Sequence, residues 1–224
     1  MLSTVSSIPR LSTDPDDVAA SGTVGAPQSD TVQRLLDAAA QAFADRGYHA
    51  TTTRDIASRA GLSPAGVYVH FSSKEDVLYQ LSRRGHQQAL DLVRAAIASA
   101  ASPAAQLAAA MSRFTVWHVE HYDIARVVQH EFPHLSQEHR DEVLDLRKQI
   151  DRALRQVLIA GRASGDFALD HIANTTLALL SMVVDVARWY TPAIARTPEQ
   201  IGQTNAVLGL RLVGYAASPT RARP

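Results

Sequence analysis

The polar and cationic side chains between Thr51 and Lys74 have the spacing of a nucleic-acid contact, in the stretch TTTRDIASRAGLSPAGVYVHFSSK. Two short runs with helical spacing meet at Gly61, because glycine adopts the positive φ that commonly ends a helix. Ser63 as N-cap and Pro64 at the first helical position restart a helix at once. This second helix, residues 64–70, leaves five residues pointing outward: Ala65, Gly66, Tyr68, Val69 and His70. A compact outer face with small residues at its N-terminal end is what a helix entering the major groove of DNA requires.

The residues around this helix divide into phosphate contacts, which set the register, and base contacts, which read the sequence. We expect phosphate contacts from Tyr68, His70 and Lys74, together with Thr52 or Thr53. The residues expected nearer the bases are Arg54, Ser63, Ala65, Gly66 and Val69, with Arg54 the best candidate for guanine. Ser72 and Glu75 predict a capping box for the next helix. Lys74 in the first turn of that helix opposes the helix dipole, which favours a phosphate partner.

The stretch from Asp30 to Leu90 resembles the DNA-binding domain of TetR-family transcriptional regulators. The similarity covers an amphipathic first helix, TVQRLLDAAAQAFADRGY, followed by TTTRDIASRAGLSPAGVYVHF and SSKEDVL. Val69 stands where the family often has a second aromatic residue, so it either contacts a base methyl group or contributes little. The resemblance implies a homodimeric, ligand-responsive repressor that reads a pseudo-palindromic operator on double-stranded DNA with residues 64–70.

Three alternative interpretations have less support. An activator of the same architecture differs only in where its operator lies relative to the promoter. A plain helical hairpin in a core is disfavoured because Tyr68, His70 and Lys74 would be poor core residues. A helical enzyme is disfavoured because no nucleophile elbow, phosphate loop or carboxylate pair is recognisable.

The composition agrees with a regulator that acts in the cytoplasm. The chain has no cysteine, which excludes a disulfide framework, a thiolate zinc site and a cysteine nucleophile. No apolar run reaches the length of a membrane span, so no membrane partner is expected, and no cofactor is expected either. The formal net charge is zero, and residues 30–84 hold seven Arg and Lys against six Asp and Glu. A surplus this small gives weak nonspecific binding, so two paired copies have to supply most of the affinity.

Periodicity predicts an all-α chain of about nine helices, because no segment alternates like a strand. We expect a disordered tail over residues 1–29, a three-helix DNA-binding domain with the helix-turn-helix over 30–75, a helical ligand-binding and dimerisation domain over 76–217, and a tail over 218–224. A long helix from Lys74 toward Ala98 would connect the two domains. Pro103 opens the next helix and Pro133 ends the segment after Phe132. Thr197, Pro198 and Gln200 open the last helix with a capping box.

The two last helices are the predicted dimer interface. The helix over residues 171–190 is apolar on nearly all sides and needs more cover than its own neighbours supply. The final helix carries Gly202, Gly209 and Gly214, which favour close helix approach. By resemblance to the family, these two helices form a four-helix bundle with a second subunit. The expected interface residues, which could instead fill the monomer core, are Leu177, Leu180, Val184, Leu208, Leu210 and Leu212.

Aromatic, apolar and cationic residues of the second domain could bind a small-molecule effector, although each could also be ordinary core. The candidate walls are Trp117, His121, Tyr122, Phe132, Ile150, Met182, Val186 and Trp189. Arg113, Arg126 and Arg147 could take an anionic group, whereas Arg188 is expected to pair with Asp185. The run from Met182 to Gly202 also resembles actinobacterial TetR-family regulators of sterol and fatty-acid breakdown. That resemblance implies an acyl-coenzyme A thioester as effector.

Histidines and glutamates cluster between positions 118 and 139, at His118, Glu120, His121, His130, Glu131, His134, Glu138 and His139. His118 and His121 share one helical face. The spacing matches no metal motif of known geometry, and Pro133 interrupts the second half of the cluster. No metal site is therefore expected.

Overall fold

The computed structural model describes residues 26–216, and these residues form helices without any strand, which confirms the all-α class. The helices are α1 (Ala26–Arg46), α2 (Thr53–Arg59), α3 (Pro64–Tyr68), α4 (Lys74–Ala98), α5 (Pro103–Glu120), α6 (Tyr122–Glu131), α7 (Gln137–Ala163), α8 (Ile172–Val184), α9 (Val186–Trp189) and α10 (Pro198–Leu212). A 3₁₀ turn, Phe132–His134, follows α6 at the predicted break. Only Asp185 separates α8 from α9. If the two are counted as one interrupted helix, the described residues hold the nine helices expected.

The ends of the chain lie mostly outside the described residues. The tails predicted for residues 1–29 and 218–224 fall there, except that α1 begins at Ala26. The last four residues of the predicted N-terminal tail are therefore helical.

Short-range capping explains where α2 and α3 begin. Thr52 caps α2 and forms a capping box with Asp55. Ser63 caps α3 with Pro64 directly behind it, as predicted. α3 ends at Tyr68, two residues before the expected end.

The cap of α4 lies one residue beyond the predicted position. Its N-cap is Ser73, whose side chain accepts a hydrogen bond from Asp76 N, while the Asp76 carboxylate accepts from Ser72 N and Oγ. Glu75 instead accepts from the backbone N–H of Ser136, at the start of α7, at 2.9 Å. The predicted capping box of Ser72 with Glu75 is therefore wrong, because the aspartate one residue later takes that role.

An apolar cluster holds α1, α2, α3 and the start of α4 together. Leu35, Phe43, Ile56, Val67 and Phe71 are each at most 2% exposed within it, and full burial of such a side chain contributes about 1.5–3 kcal/mol. Two residues from the other half of the chain, Leu135 and Val143, complete the cluster. The DNA-binding domain therefore rests directly on the 3₁₀ turn region and on α7.

A second cluster fills the space between α4, α5, α7, α8 and α10. α10 packs along α5 so closely that a Cβ on Gly202 would lie 2.7 Å from the Ser112 carbonyl oxygen, and one on Gly209 would lie 3.2 Å from Met111 Cγ. These two glycines thus permit close helix approach within one subunit. Gly214 lies beyond α10, with a φ of +66°. Among the helices described, none combines the length and apolar character needed to cross a bilayer.

Candidate DNA-binding surface and effector cavity

α3 is anchored through one face and presents the other to solvent. Ser63 Oγ accepts from Gly66 N at 3.2 Å, and Gly61 turns the chain before it with a φ of +69°. Val67 is fully buried, whereas Tyr68 and Val69 are 57% and 75% exposed. Val69 is an apolar side chain left in water, which makes it available to a partner.

The eleven residues predicted to contact DNA are all exposed or half-buried: Thr52, Thr53, Arg54, Ser63, Pro64, Ala65, Gly66, Tyr68, Val69, His70 and Lys74. Thr53 Oγ1 and the Tyr68 hydroxyl are 3.1 Å apart, so a hydrogen bond ties α2 to the exposed end of α3. This link orients two of the predicted phosphate contacts together.

Arg54 is the exposed cation of α2 that remains available to a ligand. Its neighbour in sequence Asp55 pairs with Arg46 at 3.0 Å, and Arg59 pairs with Asp45 at 2.7 Å. Arg54 takes part in none of the ion pairs formed within residues 30–216. A free guanidinium on this face fits the predicted contact with guanine O6 and N7.

Lys74 has a structural role that the sequence did not reveal. Its ammonium donates to the carbonyl oxygens of Tyr48, His49 and Thr51 at 2.9, 3.3 and 3.0 Å, and it lies 4.4 Å from the centre of the Tyr48 ring. A lysine has three N–H donors, so a phosphate would have to replace one of these bonds. Lys74 thus fixes the loop between α1 and α2, and its predicted phosphate contact stays a prediction.

A cavity of about 440 Å³ lies between the two domains. α1 contributes Leu36 and Ala40 to its wall and places the exposed Gln33 and Asp37 beside it. The rest of the lining comes from α4 to α8: Leu81, Arg84, Gly85, His86, Gln88, Ala89, Phe114, Trp117, His118, His121, Ile124, Ala125, Val128, Gln129, Arg147, Ile150, Leu180, Ser181 and Val184. The size and the mainly apolar lining are typical of a small-molecule site.

Two buried imidazoles and the guanidinium of Arg147 are among the polar groups in the cavity wall. Burial lowers the pKa of His86 and that of His118 to about 4, so both are uncharged at neutral pH. His86 Nδ1 donates to the Ser82 carbonyl at 2.6 Å, and its Nε2 accepts from Arg147 Nε at 3.0 Å. The Arg147 guanidinium stacks 4.1 Å from the Phe132 ring centre, and burial lowers its pKa.

Arg147 therefore places a partly desolvated positive charge beside the cavity. No carboxylate pairs with it among the residues that the structure describes. A buried charge without a counterion is costly. An anionic or strongly accepting ligand group would offset that cost.

The structure brings four of the eleven predicted effector contacts to this cavity: Trp117, His121, Arg147 and Ile150. Seven do not line it, namely Arg113, Tyr122, Arg126, Phe132, Met182, Val186 and Trp189. Phe132 contacts the cavity residue Arg147. Arg126 donates to the carbonyls of Ala187 and Tyr190 instead, and Arg188 pairs with Asp185 at 2.6 Å as expected.

The other predicted effector contacts that do not line the cavity lie in other parts of the second domain. Arg113 is exposed on α5, and the Tyr122 ring packs edge-on against Tyr190. Val186 is buried in a small cluster with Val119 and Ile201. Met182 and Trp189 border an adjoining, more open groove, which shares Gln129, Ser181 and Val184 with the cavity.

The sequence missed the contribution of α1 and α4 to the cavity. Gly85 could have indicated the contribution of α4, because a glycine in the middle of a 25-residue helix destabilises the helix and usually has a packing or functional role. A Cβ at Gly85 would lie 4.0 Å from Trp117 Cη2. The glycine therefore leaves room in front of that indole.

The residues predicted for the dimer interface divide into two groups. Leu177, Leu208 and Leu212 are 64%, 41% and 49% exposed on α8 and α10. Leu180, Val184 and Leu210 are half-buried, and Leu180 and Leu210 pack against the core of their own subunit. Leu180 and Val184 also line the cavity.

Known regulators share both halves of this architecture. Residues 35–81 match the model of bacterial regulatory proteins of the tetR family, and residues 100–213 match that of the tetracyclin repressor-like C-terminal domain. The HTH-type transcriptional repressor KstR2 of Mycobacterium tuberculosis (strain ATCC 25618 / H37Rv) is 33% identical over 173 residues, which cover 75% of this chain and 86% of KstR2.

Solved structures show the same fold. A bacterial regulatory protein in the tetR family from Rhodococcus RHA1 has a TM-score of 0.79 at 34% identity, over 84% of this chain and 98% of that one. AibR in complex with isovaleryl coenzyme A and operator DNA has a TM-score of 0.73 at 23% identity, over 80% and 97% of the two chains. The chain therefore belongs to the TetR family of bacterial transcriptional regulators, and it is a DNA-binding regulator rather than an enzyme.

Proposed function

We propose that this regulator is a homodimeric repressor of a pseudo-palindromic operator, released when a small molecule enters the 440 Å³ cavity. The observation that carries the proposal is the position of the cavity between the domains. Leu36 and Ala40 of the DNA-binding domain form one wall, and α4 to α8 form the others. A ligand there contacts both domains, so it can favour one relative arrangement over another, which is the requirement for an allosteric effect.

The lining defines the chemical class of the effector. Phe114, Trp117 and Ile150 suit an apolar body, and Arg147 suits a carboxylate, a phosphate or a thioester carbonyl. KstR2 is named a repressor, and the resemblance of residues 182–202 to regulators of sterol and fatty-acid breakdown favours an acyl-coenzyme A thioester. In such a ligand the acyl part would fill the cavity, and the polar part would lie at the side bordered by Gln33 and Arg84.

DNA would be bound by α3 of each subunit in consecutive major grooves on one side of the duplex. Arg54 would read a guanine, and Tyr68, His70 and Thr53 would contact phosphates. The exposed leucines Leu177, Leu208 and Leu212 would pair α8 and α10 with their copies in the second subunit. A regulator that reaches the chromosome in this way acts in the cytoplasm.

The first experiment identifies the operator without knowledge of the genome. Random double-stranded DNA fragments are selected with the purified protein and sequenced. We expect an inverted repeat whose half-sites lie about one helical turn, or a multiple of it, apart. Enrichment of single, unrepeated sites would contradict the dimeric reading mode.

The second experiment tests the effector on the same protein. Trp189→Phe leaves Trp117 as the single tryptophan of the chain, so its fluorescence reports entry of a ligand into the cavity. Acyl-coenzyme A thioesters of increasing chain length, and the matching free acids, are titrated first without and then with operator DNA. At least one of them should change the Trp117 emission and release the DNA over the same concentration range.

Arg147→Met tests the effector contact, with Arg152→Met, an exposed arginine on the same helix, as the matched control. Loss of a charge-assisted hydrogen bond costs about 1.5–3 kcal/mol. Arg147→Met should therefore weaken effector binding roughly 10- to 100-fold and leave operator binding in place. Equal effector affinity in the two variants would contradict the assignment of Arg147.

A further inference from the structure

We propose that His49, Glu131 and His134 form a zinc-class metal site that links the DNA-binding domain to the regulatory domain. His49 lies in the loop between α1 and α2, Glu131 is the last residue of α6, and His134 lies in the 3₁₀ turn. One nitrogen or oxygen atom from each of the three lies within 4.8 Å of those of the other two. Sequence spacing did not reveal this site, because His49 lies 85 positions before His134 in the chain.

Glu131 is the residue whose environment requires a cation. Its side chain is only 10% exposed, and its Oε2 atom is buried without any hydrogen-bond partner. The groups that face this carboxylate are the imidazoles of His49, His130 and His134, at 3.5, 3.2 and 3.7 Å. A buried carboxylate oxygen without a donor is unfavourable, because it has lost its hydration without a replacement. A metal ion coordinated by that oxygen would remove the penalty.

The distances between the three side chains suit shared coordination of one ion. Zinc ligands at about 2.0–2.1 Å in a tetrahedral arrangement are about 3.3 Å from one another. His49 Nε2 lies 3.1 Å from His134 Nε2 and 3.5 Å from Glu131 Oε2. The second of these separations exceeds that of a normal hydrogen bond. His134 would bind the ion through Nε2, because one imidazole offers a single ring nitrogen to a given ion. Two imidazoles and one carboxylate form a ligand set that zinc commonly uses, with the fourth position left to water or to His130.

The backbone around both histidines is already held in place. Lys74 donates to the carbonyls on both sides of His49 and to that of His49 itself, and Thr51 Oγ1 donates to the carbonyls of Ala42 and Gly47. On the other side, Leu135 N donates to Phe132 O, which closes the turn that carries His134. Preorganised ligands lose little conformational freedom when a metal binds.

The position of the site gives the metal a regulatory consequence. α6 carries Glu131 at its end and lines the effector cavity with Ile124, Ala125 and Val128. A metal bound to His49 would fix the DNA-binding domain against the end of this helix. The ion would therefore stabilise the relative arrangement of the two domains described above.

The site is tested with the full-length protein after removal of any histidine tag and dialysis against a chelator. Isothermal titration with ZnCl₂ should show one ion per chain, with an accompanying rise in Tm, whereas MgCl₂ should bind far more weakly because imidazole is a poor ligand for magnesium. Co²⁺ should give the visible absorption of a tetrahedral ion.

His49→Ala and Glu131→Gln should each weaken Zn²⁺ binding by about 100-fold or more, since even the loss of a group that only supports a ligand costs about 10- to 100-fold. His171→Ala, which removes an exposed histidine ahead of α8, is the control and should bind Zn²⁺ like the unaltered protein. His49 is exposed, so its substitution leaves the fold intact, and the Tm without metal verifies this. Absence of Zn²⁺ binding to the unaltered protein, or equal binding by His49→Ala and His171→Ala, would overturn the proposal. Both measurements are made without operator DNA and without effector, so they test the metal site independently of the proposed function.

Discussion

Gly202→Ala should destabilise each subunit by about 2 kcal/mol, although alanine is the better helix former. A Cβ at this position would lie 2.7 Å from the Ser112 carbonyl oxygen, 2.9 Å from Val116 Cγ2 and 3.1 Å from Ser112 Oγ. Because the nearest neighbour is backbone, it cannot rotate away, and α10 has to move off α5. Overpacking of this kind costs about 1–3 kcal/mol, and we take the upper end. The gain in helix propensity offsets about 1 kcal/mol of it.

Gly85→Ala is the matched control, because it is also a substitution inside a helix. The nearest atom to its Cβ would be Trp117 Cη2 at 4.0 Å, an ordinary contact, so the propensity gain of about 1 kcal/mol should remain. In urea unfolding at one protein concentration, the midpoint of Gly202→Ala should lie below that of the unaltered protein and the midpoint of Gly85→Ala above it. The Tm of Gly202→Ala should fall by about 4–8 °C. If Gly202→Ala unfolds at the same urea concentration as Gly85→Ala, the close approach of α10 to α5 is wrong.

Three further outcomes are expected. Arg54→Ala should relax the preference at one base pair of each half-site, measured by repeating the selection of DNA fragments, and uniformly weaker binding without a change in preference would contradict its assignment to a base. The free energy of unfolding should decline as the pH falls from 6.5 toward 4, by about 3 kcal/mol each for His86 and His118, because the unfolded histidines (pKa 6.5) take up protons before the buried ones (pKa about 4). Urea unfolding at a series of pH values measures this decline, and a flat profile would show that these imidazoles are not kept neutral by burial. Leu208→Glu should convert the dimer to monomers in analytical ultracentrifugation. The control Val69→Glu alters a residue that is 75% exposed on the DNA-binding domain, so it should abolish operator binding and keep the dimer. A dimeric Leu208→Glu protein would exclude α10 from the interface.

The helix-turn-helix could be predicted almost residue by residue because the residues that begin and end its helices act only on neighbours within one or two helical turns. Gly61, Ser63 and Pro64 each impose a backbone geometry on their immediate neighbours, and the structure confirms all three. The wrong cap predicted for α4 arose where Glu75 and Asp76 stand side by side and either could complete a cap. The choice was made by α7, whose Ser136 and His139 engage Glu75.

The effector cavity was much less accessible to sequence reasoning. Helical spacing of aromatic and cationic residues correctly pointed to Trp117 and Arg147 as cavity residues. The same spacing does not show which face of α5 or α6 turns toward a cavity. Arg126 and Phe132 have the right chemistry, yet one binds backbone carbonyls and the other supports Arg147. Helical periodicity separates the buried face from the exposed one, and a cavity is part of the buried face.

The sequence by itself determined the all-α class and the caps of α3 and α10, and it predicted a DNA-binding surface, because caps, glycine turns and apolar periodicity are local properties of the chain. Only the tertiary structure decided which distant residues meet. It placed α1 of the DNA-binding domain in the wall of the effector cavity, bound Lys74 to three carbonyls, and brought His49 to Glu131 and His134. The physical reason is that these contacts depend on how whole helices pack. Helix packing is set by the apolar surface buried in the two core clusters, and residues from many parts of the chain contribute to each of them.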